Sequence, residues 1–111
     1  MLDFNVIRAL IDDDNDVMVA LLSSYSDDYG DAAQKIVTLY QSQDWSELYM
    51  LSHSLKGTLK ILGEESAAHI LERIEHDTRD ESPPIQEDID AAKNELSAIQ
   101  SQVQDYLTIG V

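Results

Sequence analysis

His53, Lys56, Gly57 and Lys60 crowd one short stretch, MLSHSLKGTLKILG, running from Met50 to Gly63. A neutral imidazole nitrogen is a competent nucleophile toward phosphorus, and the phosphoramidate it forms transfers its group readily. Lys56 and Lys60 are two of only seven basic residues in the chain. Their ammonium groups would attract a phosphoryl group and partly neutralise it. Gly57 costs a helix about 1 kcal/mol relative to alanine, with no packing return on an outward face. What it gives is room for a phosphoryl group or a partner to come close to His53. Hydrolytic chemistry finds no support. No acid stands three or four residues to either side of His53 to orient the ring, and no Ser-His-Asp arrangement can be drawn from the spacing.

The element that must position these residues is a leucine-striped helix. Taking Leu55 as the centre and stepping about 100° per residue, Leu48, Leu51, Leu59 and Leu62 fall within about 40° of it. His53 falls about 160° away and points outward, which excludes a core role. Lys56, Gly57 and Lys60 follow it at i+3, i+4 and i+7 on the same outer face. Tyr49 and Met50, on the outward half, form an apolar fringe suited to docking. Asp44 is a natural N-cap with Glu47 at capping-box spacing, and Gly63 is a good stop.

Around this helix the same periodicity predicts others, and no segment shows sustained strand alternation. Phe4, Ile7, Leu10 and Ile11 make a short first helix. Asp14 to Asp16 can cap a second, carried by Val17, Leu21, Leu22 and Tyr25. Gly30 marks a kink or interruption, after which Ala33, Ile36, Val37 and Tyr40 continue the pattern. Ala67, Ile70, Leu71 and Ile74 mark a helix ending near Thr78. The stretch RDESPP is a loop, and Ile85, Ile89, Ala92, Leu96, Ile99, Val103 and Leu107 stripe a long last helix. Short connections between amphipathic helices imply an all-α fold, an antiparallel up-and-down four-helix bundle with a short additional N-terminal helix. Residues 1–111 read as one domain.

Twenty-two acidic residues against seven basic ones give a formal charge of −15. Such a surface repels phosphate backbones and anionic membranes, so neither nucleic acid nor membrane is an expected partner. With 43% hydrophobic residues the chain is too apolar to read as disordered. The absence of cysteine excludes disulfides and thiolate metal sites and points to a reducing compartment, in bacterial terms the cytoplasm. A monomer that needs no metal to fold is expected.

The stretch HSLKGTLKILG resembles the H-x-L-K-G-x-x-x-x-x-G signature of histidine-containing phosphotransfer (HPt) domains. The likeness extends from about Asp16 to Glu75 and includes the Asp-Trp pair before the active helix. Two positions depart from the pattern: Leu59 stands where a small residue is usual, and Glu64 where alanine is. The resemblance implies that His53 is the phosphorylated residue, Lys56 its electrostatic neighbour and Gly57 the residue that keeps the approach open. It also implies a relay intermediate that takes a phosphoryl group from a receiver-domain aspartate and passes it to another response-regulator receiver. Such a domain carries no kinase machinery and no cofactor of its own, the receiver supplying Mg²⁺. Many close the C-terminus of a hybrid sensor kinase, which would place this one at the cytoplasmic end of a membrane-anchored chain.

Other candidates are weaker. His69 and His76 also face outward, with Arg73 and Arg79 near them in sequence, but neither has the glycine. Asp12, Asp14 and Asp16 resemble the start of a calcium loop, yet Val17 and Ser23 stand where glycine and glutamate belong. Trp45 reads as core or staple. The main rival function is a helical adaptor that binds a partner without phosphotransfer. A sensor-kinase dimerisation domain would place an acid directly after the histidine, where Ser54 stands. The phosphoacceptor domain of a chemotaxis-type kinase shares the fold but needs a large multidomain context.

Overall fold

The computed structural model describes residues 1–109, and the last two positions of the expected domain lie outside the described residues. All the regular structure among them is α-helical: α1 (Phe4–Leu10), α2 (Asn15–Tyr29), α3 (Ala32–Gln41), α4 (Trp45–Ile61), α5 (Glu65–Arg79) and α6 (Gln86–Ile109). The starts of α1, α2, α4 and α5 are set locally by a side chain that accepts an otherwise unpaired amide. Asp14 accepts from Asp16 and Val17 at the head of α2, and Asp44 accepts from Glu47 at the head of α4. Glu64, one of the two departures from the HPt pattern, is buried and caps α5 by accepting from Ala67 at 2.6 Å. Leu59, the other, is wholly buried in the core.

The end of α4 shows why Gly63 is there. Its amide donates to the Lys60 carbonyl, and the next amide, of Glu64, donates to the Leu59 carbonyl. This pairing demands a left-handed residue between them, and Gly63 has φ +76°. The expected long second segment is two helices. Gly30 keeps helical dihedrals, but Asp31 (φ −102°, ψ 11°) leaves them and offers no side-chain cap, so α2 and α3 meet at a bend.

The helices close a ring: α3 packs on α4, α4 on α5, α5 on α6, and α6 back on both α2 and α3. Within it lie the stripes read from the sequence, with Leu48, Leu55, Leu59, Leu71, Ile74, Ile99 and Val103 completely or almost completely buried. The 24-residue α6 spans most of the 42 Å long axis. Leu2, just before α1, and Ile7 within it join the core, and Phe4 packs on Tyr106.

Three residues assigned to stripes fall outside the core. Leu10 is exposed because α1 ends there, once Ile7 has made its contact. Val17, in the first turn of α2, is also exposed. Ile85 is 55% exposed: it precedes α6, its carbonyl accepts the first bond of that helix from Asp88, and its side chain lies off the stripe.

Candidate functional site

α4 carries the site on the face opposite its leucines. The His53 side chain is 61% exposed, in agreement with the outward direction read from the stripe. Its Nδ1 meets a group that the reading of α4 alone did not find, the carboxylate of Glu75 on α5. The expectation that no acid orients the ring is therefore corrected: the acid comes from the neighbouring helix. Glu75 also accepts from Lys56 Nζ at 2.6 Å, so one carboxylate holds the histidine through one oxygen and the lysine through the other.

Glu75 is 4% exposed and Lys56 18%. Burial by itself disfavours the ionised carboxyl. The hydrogen bonds from Lys56 and then from His53 outweigh that, and they hold the Glu75 carboxyl below the usual carboxylate range. A carboxylate at Nδ1 fixes the imidazole tautomer with its proton on that nitrogen. The lone pair then belongs to Nε2, which has no partner among the described residues. Chemically this is an oriented nucleophile with a cation beside it.

The remaining members lie around the ring. A Cβ built at Gly57 would meet nothing within 4 Å, so the space one turn along from His53 is open. Lys60 is exposed a further turn on. Tyr49 and Met50, expected as a single fringe, flank His53 on opposite sides. Tyr49 stacks on the imidazole with ring centroids 6.0 Å apart and planes 17° from parallel. Met50 is 57% exposed and lines a cleft of about 300 Å³ toward α3, with Tyr29, Lys35, Leu39, Leu51 and Ser54.

His69 and His76 are both exposed, and each has only a distant carboxylate, Glu72 at 3.8 Å and Asp77 at 3.9 Å. Arg73 is engaged elsewhere, donating to Asp88 at the start of α6. Among the described residues no group of three or more His, Asp or Glu is placed to hold a metal ion. Asp12, Asp14 and Asp16 thus form a helix cap through Asp14 alone. Trp45 packs against the core and Tyr40. Among the described residues no helix is long and apolar enough to cross a membrane.

Glu75 left one signal in the sequence. It directly follows Ile74 and stands four residues after Leu71, at the border of a buried stripe. A carboxylate there must find a charged or hydrogen-bonding partner.

Compared with known families, the chain is matched by the Hpt domain model over residues 20–102, which takes in α3, α4 and α5 whole and most of α2 and α6. No curated protein and no solved structure matches the chain.

Proposed function

Because the chain belongs to the Hpt domain family of phosphocarrier modules, we propose that it is a phosphorelay intermediate, taking a phosphoryl group from a receiver-domain aspartate onto His53 and passing it to another receiver. The observation that carries this reading is the shared carboxylate of Glu75, which presents Nε2 of an exposed histidine as the nucleophile while keeping Lys56 beside it. A helical adaptor has no need of a buried acid paired to a surface histidine.

In the transfer, the Nε2 lone pair attacks phosphorus, the bond to the aspartate oxygen breaks, and the bonding pair leaves with the carboxylate. The proton on Nδ1 stays facing Glu75, and its charge offsets the positive ring that results. Lys56 lies one turn along and lowers the energy of the transferring group electrostatically. Gly57 leaves the approach clear. Met50 and Lys60 belong to the surface over which the receiver docks, and the receiver brings the Mg²⁺ and the carboxylate. The chain needs no cofactor and works as a monomer and a single domain. The closed ring of helices and the short connections 42–44, 62–64 and 80–85 support the reading of an antiparallel up-and-down bundle with α1 as an additional short helix.

The test is incubation with a phosphorylated receiver domain, followed by locating the acid-labile phosphate. Wild type should carry it on His53 and the His53→Gln variant should carry none. Label retained by that variant, or mapped to His69 or His76, would end the assignment.

A further inference from the structure

We infer that Tyr49 is a positioning residue for His53, and not part of the surface that docks a partner. This rests on the phosphocarrier reading above. An exposed histidine has two side-chain torsions, and the bond from Nδ1 to Glu75 pins only one edge of the ring. About that bond the imidazole could still pivot, carrying Nε2 away from the direction of attack. The Tyr49 ring, one helical turn before it, lies nearly parallel to the imidazole and removes that freedom.

Tyr49 itself is partly buried. It lines a cleft of about 270 Å³ together with Ser46 on α4 and Thr78, Arg79 and Glu81 at the end of α5. It thus lies on the side of α4 that faces the end of α5, beside His53. Met50, by contrast, is on the open flank toward α3.

The stack also has a preference between the two states of the ring. Attack by Nε2 on an acyl phosphate forms the N–P bond, breaks the P–O bond and releases the carboxylate with its electron pair. Because Nδ1 keeps its proton, the imidazole becomes a phosphoimidazolium cation. The face of an aromatic ring within about 6 Å attracts a cation more than it does the neutral ring. Tyr49 therefore favours the charged product and the transition state leading to it, and its effect belongs in the rate and not in receiver binding.

Single-turnover uptake by the full chain, at varied concentrations of a phosphorylated receiver domain, separates these. Tyr49→Phe keeps the aromatic face, whereas Tyr49→Leu keeps apolar bulk without it. The phenylalanine variant should match wild type. The leucine variant should lose about three- to tenfold in saturating rate with the half-saturating concentration unchanged. A raised half-saturating concentration at unchanged rate would make Tyr49 a docking residue and overturn the inference. Wild-type behaviour of Tyr49→Leu would overturn it equally while leaving His53 as acceptor. A wild-type chain that takes up no label would remove the phosphocarrier reading and this inference with it.

Discussion

Glu75 is the residue on which the site turns. Its carboxylate is buried, and it is ionised because Lys56 and His53 each offer it a proton to accept. Replacing it with glutamine keeps an oxygen for the His53 Nδ1 proton but leaves Lys56 without its counter-charge. At neutral pH Glu75→Gln should cost about 1–3 kcal/mol of stability. The pH dependence has a definite sign. A carboxyl whose folded pKa is depressed contributes stability that is fully present above its unfolded value, about 4.3. That contribution is lost as pH falls through the folded value. The gap between wild type and Glu75→Gln should therefore close on acidification, as read by denaturant unfolding at neutral pH and at pH values descending past about 4.3. A gap that stays constant would show that the carboxylate is not coupled to its two cations in solution. That Glu75 is the partner of His53 was not legible from α4, because i±3 and i±4 spacings describe one helix and this bond joins positions 53 and 75.

At the scale of the element, α4 and the turn that ends it hold two glycines with opposite physics. At Gly57 the backbone is helical and a Cβ would enter empty space, so Gly57→Ala should stabilise by about 0.4–1 kcal/mol, largely by restricting the unfolded chain. Gly57→Leu should fold equally well yet lose phosphoryl uptake, since its side chain would cover the approach one turn from His53. Normal transfer by that variant would mean that the receiver docks elsewhere. Gly63 has φ +76°, and a Cβ there would stand 2.8 Å from Val6 Cγ1. Gly63→Ala should therefore destabilise by about 1–3 kcal/mol. Thermal and denaturant melts of the two alanine variants should move in opposite directions, and a shift of both in one direction would contradict this account. Both glycines were legible as a helix interior and a helix stop. The contact of Val6 with the turn was not, because it joins the first helix to the fourth.

At the scale of the whole molecule, charge dominates. A formal charge of −15 on 111 residues makes the folded state repel itself. Salt shortens the range of that repulsion from about 30 Å at 0.01 M to about 3 Å at 1 M. The melting temperature should rise as NaCl is increased over that range, by about 4–8 °C for each kcal/mol of repulsion removed. The same repulsion, together with apolar stripes already buried in the closed ring of helices, should keep the chain monomeric by sedimentation at micromolar concentration. A dimer there, or a melting temperature indifferent to salt, would count against this reading.

By itself the sequence determined what each helix can settle alone. The stripes, the Asp14 and Asp44 caps and the Gly63 stop depend on neighbours within four or five positions, and so does the direction of His53 relative to Leu55. The bend at Gly30 was legible as an interruption, though its division of one segment into two helices was not. What the tertiary structure decided is which side chain of another helix meets each face. The angle of a residue about its own helix axis is a property of periodicity, but the register between two packed helices is set by the core as a whole. That register brings Glu75 to His53 and Lys56, sets Tyr49 toward α5 and Met50 toward α3, and leaves Ile85 outside the stripe. Packing turned an outward histidine into an oriented one.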